Sequence, residues 1–330
     1  MRKNREHTVK AAGEITAFPV APAASAIAAS FPDASCGCPA REPGDRAGWS
    51  TRLAAVLAVC GVALLFAMVL AAALPVLLRP GPGWPLEWLW QPYQGHFGIL
   101  PMCLGSLALA AFALCAGWPL ALGLCCWLLT EEARAARPLT RLTGGLIRFM
   151  TTIPTVVYGF AAVFLLTPLV RTALGGTGMC LLAAGIMLTL LILPTMVLVL
   201  EAGLAPRLER LCPWGQALGF SRLDLLRLFV LPKAGRNLAA AAVLGFGRAV
   251  GDTLIPLMLA GNATQVPGGL TESLRTLTAH MALVTANEVG GAAYNSLFVA
   301  GLILLLVNAG ASLALRRLGA RSRPRAEVGS

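Results

Sequence analysis

The sequence predicts an all-α membrane protein with six transmembrane helices and both termini in the cytoplasm. Three observations carry that prediction: a composition too apolar for water, six segments long enough to cross a bilayer, and a one-sided distribution of basic residues. Hydrophobic residues make up 57% of the 330 and charged residues only 12%, against about 25% charged in a soluble domain. A chain so poor in charge cannot cover a water-facing surface, so its solvent is largely lipid.

A spanning helix needs about 20 mostly apolar residues. Segments 53–78, 99–129, 146–170, 179–200, 238–261 and 294–315 meet that requirement. The second is long enough to tilt or to project beyond the bilayer. Residues 1–50 differ in kind, being rich in Ala, Pro, Ser and charge without apolar periodicity, and read as a disordered cytoplasmic tail. They are too long and too mixed for the leading region of a cleaved signal peptide, so segment 53–78 reads as a retained anchor. The chain thus divides into a tail over 1–50 and a membrane domain over 51–330.

Orientation follows from the Lys and Arg residues. Seven precede the first span, through Arg52. Arg134, Arg137, Arg141 and Arg148 lie between spans two and three. Arg207, Arg210, Arg222, Arg227, Lys233 and Arg236 lie between spans four and five, and five more run from Arg316 to Arg325. The alternate loops hold one each: Arg79, Arg171 and Arg275. Short loops rich in Lys and Arg stay in the cytoplasm, which puts both termini inside. The same placement accounts for the net charge of +11 without nucleic acid as a partner; the partner that composition requires is membrane lipid.

Trp84, Trp88, Trp90 and Tyr93 cluster in the first outer loop. Aromatic rings favour the headgroup region, so an interfacial anchor is the simpler reading and ligand stacking the alternative. Six of the nine cysteines (Cys60, Cys103, Cys115, Cys125, Cys126, Cys180) sit in apolar runs, where cysteine acts as a small hydrophobe. Cys36 and Cys38 form a lone C-x-C with no second pair or nearby His, short of a four-ligand zinc site. No metal site is expected.

The chain has no phosphate-binding loop of the G-x-x-x-x-G-K-[ST] type, so energy for any work must come from a partner chain. His7, His96 and His280 are scattered. No paired carboxylates or activated nucleophile suggest an enzyme.

The inner loop over 201–236 carries the densest local pattern. Ser221 and Asp224 fit a capping box, in which the hydroxyl caps the amide three residues on and the carboxylate reaches back. Behind them Leu225, Leu226 and Phe229 fall near one side of a short helix, which Pro232 should end. On that pattern alone an interfacial helix with snorkelling arginines is an equal reading.

Two charged residues lie inside the fifth span. A charge near the middle of a spanning helix costs about 2.5–3.5 kcal/mol on insertion scales, so Arg248 needs a reason to be there. Asp252 follows four residues later, a spacing that puts both on one face of a continuous helix, able to pair. One reading is a mutually neutralising structural pair. The other has Arg248 facing the pathway, offering its planar fork to an oxyanion, with Asp252 holding the guanidinium. Thr151, Thr152, Tyr158, Thr189 and Thr195 are the other polar groups of the spans. Hydroxyls in such helices more often bond their own backbone or a neighbour; Tyr158 is the best secondary pathway candidate. Pro154, Pro194 and Pro256 are expected to kink their helices.

Gly219, then Phe229, Leu231 and Pro232, reproduce the spacing at the tail of the loop signature of binding-protein-dependent ABC importer permeases, which this sequence resembles. The family's leading Glu-Ala-Ala is here Pro213-Trp214-Gly215. The resemblance extends over about residues 98–316. Gly98-Ile99-Leu100-Pro101, Ile153-Pro154-Thr155-Val156-Val157-Tyr158-Gly159-Phe160 and Gly247-Arg248-Ala249-Val250-Gly251-Asp252-Thr253 are similar to the phosphate-uptake permeases of the Pst system. Leu257-Met258-Leu259-Ala260-Gly261-Asn262 and Arg275-Thr276-Leu277-Thr278-Ala279 resemble the C-type subunit more than its A-type sister. The second charged position is usually Glu in that family; Asp252 is one methylene shorter.

The resemblance implies a type I importer permease architecture in a bacterial inner membrane and inorganic phosphate as cargo. It implies a second, A-type permease chain, a dimer of a cytoplasmic ATPase that holds the ATP and Mg, and a periplasmic phosphate-binding protein, with no cofactor bound by this chain. It makes the loop bearing Gly219, Leu225, Phe229, Leu231 and Pro232 the element that docks on the ATPase, and Arg248, Asp252 and Tyr158 the pathway candidates. Sulfate, molybdate or tungstate are alternative cargoes, and a membrane sensor or scaffold in phosphate signalling is the alternative of another class.

Overall fold

The computed structural model describes residues 45–78, 85–131, 138–287 and 292–321. The C-x-C pair, Trp84, Arg79, Arg134, Arg137 and almost all of the expected tail lie outside the described residues. The chain separates into a unit over Met1–Ala55 and a compact unit over Val56–Ser330.

Helices dominate. In chain order they are α1 (Asp45–Leu77), α2 (Leu100–Glu131), α3 (Pro138–Thr152), α4 (Thr155–Leu174) and α5 (Leu181–Ala217). A short α6 (Arg222–Leu225) leads through a π turn at Leu226–Val230 into α7 (Leu231–Lys233). Then come α8 (Gly235–Gly251), α9 (Leu254–Leu259), α10 (Leu277–Asn287) and α11 (Ala292–Arg321). Between α1 and α2 two short strands, β1 (Trp90–Gln91) and β2 (His96–Phe97), pair antiparallel with Trp90 opposite Phe97.

Among the described residues five unbroken helices are long and apolar enough to cross a membrane: Trp49–Leu77, Leu100–Thr130, Thr155–Leu174, Leu181–Ala217 and Ala293–Leu313. They answer to five of the six expected segments. The other, 238–261, is split into α8 and α9 by a non-helical break at Asp252 and Thr253. A second boundary also moves. The expected span 146–170 is interrupted at Ile153–Pro154, so that α3 ends and α4 begins there; Pro154 has no N–H to continue a helix and disfavours helical backbone in the residue before it. The fourth span was expected to stop at residue 200, yet α5 runs on to Ala217. At 1.5 Å per residue its 37 residues reach about 55 Å, far beyond a hydrocarbon core of about 30 Å. The first part of the inner loop is therefore a rigid extension of a spanning helix.

Pro194 sits within α5 without ending it, and Pro256 lies in the first turn of α9, where a missing N–H costs nothing. The kink expected at Pro256 is replaced by the break just before it.

The core forms where α2, α5 and α8 meet, around Leu188, Ile192, Met196, Leu200 and Leu204. Small residues let these helices approach closely, as packing in lipid requires. A Cβ on Gly185 would lie 2.4 Å from the Phe112 ring, and one on Gly245 would lie 2.7 Å from the Met196 sulfur. By contrast α1 leaves most of its apolar side chains exposed, including Leu57, Leu64, Leu65 and Met68. In a bilayer that surface faces lipid.

The outer loop corrects the aromatic reading in part. Trp88 and Tyr93 are exposed, as anchors would be, but Trp90 packs edge-on against the His280 ring at 4.3 Å and against Phe97 at 5.9 Å. Its indole is part of the fold.

Candidate functional site

Two regions gather the expected functional residues. The first is the break between α8 and α9. Helix α8 ends at Gly251, and Asp252 adopts extended backbone (φ −72°, ψ 133°). Its carboxylate accepts from the Ile255 amide at 2.9 Å, which makes Asp252 an N-cap for α9 in the manner of a short acidic side chain at a helix start. Its carbonyl, freed by the break, accepts from the buried Thr278 hydroxyl at 2.8 Å. Backbone out of helix at membrane depth is tolerated when protein groups satisfy it in this way.

Arg248 lies one turn before the break, on the exposed surface of the single chain. One of its terminal nitrogens donates to the Thr195 hydroxyl of α5 at 3.1 Å. The expected Arg248–Asp252 pairing is not formed: among the described residues no carboxylate lies within 4.0 Å of this guanidinium. The expectation assumed one continuous helix. Because the chain leaves helical geometry at Asp252, the four-residue spacing no longer sets a direct contact between the two.

Tyr158 is buried, and its hydroxyl donates to the Met150 carbonyl at 2.7 Å. Met150 is four residues before Pro154, so its carbonyl has lost the N–H that a regular helix would supply. Tyr158 thus closes the α3–α4 break, and its one hydroxyl hydrogen is spent on that bond. The other hydroxyls mostly do as expected: Thr151 donates to the Arg148 carbonyl, Thr152 to that of Phe149, and Thr189 to that of Gly185. Thr195 is the exception, and no spacing could have revealed it, since 53 residues separate it from Arg248.

The second region is the inner loop. Helix α5 ends in a Schellman motif: the Phe220 amide donates to the Gly215 carbonyl and the Gly219 amide to that of Gln216, both at 3.0 Å. Gly219 takes the left-handed φ of +83° that this ending demands and that glycine alone adopts without strain. The capping box forms as expected, with the Asp224 amide donating to the Ser221 hydroxyl and the Asp224 carboxylate accepting from the Ser221 amide, each at 3.2 Å. The Ser221 hydroxyl also donates to the Asp224 carboxylate at 2.5 Å, and this bond, followed by that from the Ser221 amide, holds the Asp224 carboxyl below its ordinary range. Pro232 does not end the helix where expected. It is accommodated in α7, after a π turn closed by the Leu231 amide bonding Leu226 five residues back. A proline ring clashes with the carbonyl four residues earlier, and widening the turn relieves that clash.

Burial sorts the loop residues into two classes. Leu225 is only 3% exposed and Leu226 and Val230 are fully buried, whereas Phe229 is 40% exposed and stacks edge-on against Phe220 at 5.7 Å. Leu225 packs over the last turn of α5, where a Cβ on Gly215 would lie 2.3 Å from its Cδ2. Of the two apolar side chains expected to dock on a partner, Leu225 is internal and Phe229 remains exposed. The most exposed apolar side chains of the loop are Trp214 and Leu218, both 76% exposed, with Leu228 beside Phe229 in sequence.

Residues 123–324 match the family described as binding-protein-dependent transport system inner membrane component. The chain is 31% identical to a probable ABC transporter permease protein, YqgH, of Bacillus subtilis, over 72% of this chain and 79% of that one. It is 26% identical to the phosphate transport system permease protein PstC of Haemophilus influenzae, over 78% and 87%. Its fold is similar to a chain of the MetNI methionine ABC transporter solved in inward-facing conformations, with a TM-score of 0.53, 18% identity, and coverage of 67% of this chain and 94% of that one.

Proposed function

This chain belongs to the binding-protein-dependent transport system inner membrane components, and we propose that within the family it is the permease subunit of an ATP-driven importer of inorganic phosphate. It is a multi-pass inner-membrane protein, and its family works with an ATPase and a substrate-binding protein. The phosphate assignment rests on the PstC relatives. In this reading the partners are an A-type permease chain, a cytoplasmic ATPase dimer that binds ATP and Mg, and a periplasmic phosphate-binding protein. Both termini face the cytoplasm, and hydrolysis takes place on the partner.

One observation carries the pathway role: Arg248, in a spanning segment, is exposed on the single chain and has no carboxylate within 4.0 Å among the described residues. A guanidinium stays charged at any physiological pH. At membrane depth that charge is tolerated facing a partner or a water-filled path. A permease chain completed by a second one supplies such a path at their seam, and a tetrahedral oxyanion passing there would offer the missing negative charge. Force from the ATPase would enter through the 213–232 segment, which is continuous with α5 and hence with the helix that bears Thr195.

ATP-driven uptake of inorganic phosphate by the reconstituted complex tests the proposal. Arg248→Ala should abolish uptake in a complex that still assembles; uptake at the normal rate would reject the pathway role. Uptake of sulfate or molybdate in place of phosphate would overturn the cargo, and assembly with ATPase but no uptake of any anion would favour a sensor.

A further inference from the structure

Thr195 differs from the other hydroxyls of the spanning helices in how its bonds are used. Thr151, Thr152 and Thr189 each give their hydrogen to a carbonyl of their own helix. Thr195 instead accepts, from Arg248 at 3.1 Å, and among the described residues its own hydrogen has no acceptor. A threonine hydroxyl holds one donor and two acceptor sites, and a guanidinium holds five donors in a fixed fork. Arg248 spends one of its five on Thr195.

We infer that Thr195 is a second contact for the transported oxyanion, its hydroxyl donating to the anion while it accepts from Arg248. Three physical arguments support this role. Accepting a bond from a cation polarises the hydroxyl and strengthens it as a donor. An anion held by the remaining guanidinium N–H groups meets charge-assisted bonds, roughly twice as strong as neutral ones. Two donor groups 3.1 Å apart can serve one oxygen or two neighbouring oxygens of a single tetrahedral anion. The bond to Thr195 also limits the rotamers of a long side chain that no carboxylate anchors, so the fork is aimed before the anion arrives.

This inference rests on Arg248 lining the pathway, and the experiment separates the two claims. The complete complex is reconstituted in proteoliposomes with inorganic phosphate as the probe, comparing Thr195→Val, Thr195→Ser and Arg248→Ala. Valine keeps the shape and removes the hydroxyl, so ATP-driven uptake should fall about tenfold, the loss of one hydrogen bond to a charged group. Serine keeps the hydroxyl and should stay within twofold of the parent. Thermal stability of all three complexes should be unchanged. Normal uptake by the valine variant, or equal loss in the valine and serine variants, overturns the Thr195 role while a dead Arg248→Ala complex leaves the pathway reading standing. Normal uptake by Arg248→Ala removes both. If the valine variant fails to assemble, Thr195→Ala carries the same comparison with serine.

Discussion

The Tyr158 hydroxyl donates to the Met150 carbonyl at 2.7 Å, across the break that Pro154 makes between two helices. The proline removes the backbone donor this carbonyl would have used, and the phenol replaces it. Tyr158→Phe should leave a carbonyl unsatisfied in an apolar setting at a cost of about 1–3 kcal/mol. The expected result is a lower melting temperature of the detergent-solubilised complex, with phosphate uptake per assembled complex within twofold of the parent. Lost uptake at an unchanged melting temperature would instead place this hydroxyl in the pathway.

Leu225 occupies the space beside Gly215 that any larger residue would need. Gly215→Ala gains up to about 1 kcal/mol of helix propensity but forces a Cβ to 2.3 Å from Leu225 Cδ2. Because Leu225 is itself buried, overpacking at about 1–3 kcal/mol should win. The variant should melt lower and bind the ATPase less well, and adding Leu225→Ala should restore part of the loss. A stabilised single variant would refute this account.

The docking face and the buried anchor are separable by experiment. Leu228→Glu or Trp214→Ala alters an exposed side chain and should reduce ATPase co-purification severalfold without moving the melting temperature. Leu225→Ala should lower the melting temperature by the equivalent of about 2–5 kcal/mol, the usual cost of emptying a buried leucine site. Full ATPase retention by both surface variants would show that the partner engages another face.

Asp252 caps α9 through the Ile255 amide. Asparagine caps about as well as aspartate, whereas alanine forfeits about 1 kcal/mol. Asp252→Asn should therefore melt near the parent and Asp252→Ala below it. If Asp252→Asn alone stops uptake, the carboxylate charge has a role in transport besides its cap.

His280 is fully buried beside Trp90, with neither ring nitrogen hydrogen-bonded. Burial, and secondarily the charge of Arg275, lower its pKa to about 3. The folded value is below the ordinary value near 6.5, so the unfolded chain takes up the proton first as the pH falls. The stability present above pH 6.5 is then lost at up to about 1.4 kcal/mol per pH unit on the way down toward pH 3. Melting temperature should drop between pH 6.5 and 4.5, and His280→Leu should flatten that profile. An equally steep profile in the variant would assign the acid sensitivity to another group.

Sequence alone determined what depends on composition and on neighbours along the chain. Six apolar segments, the Ser221–Asp224 capping box and the glycine at 219 are set by transfer energy and by bonds that reach only a few residues, so they can be read in order. The fifth segment shows where that reading stops. Pairing of Arg248 with Asp252 requires a helix that the chain leaves at Asp252. Leaving the helix there is possible because Thr278, 26 residues on, satisfies the freed carbonyl. The true partner of Arg248 comes from α5, and the true partner of the Tyr158 hydroxyl is a carbonyl in the preceding helix. Burial made the same kind of distinction in the inner loop, turning Leu225 inward against Gly215 and leaving Trp214 and Leu218 outside. Each of these was decided by the tertiary structure because a polar group in an apolar medium takes whichever partner packing brings within 3 Å, and packing joins residues that sequence spacing keeps apart.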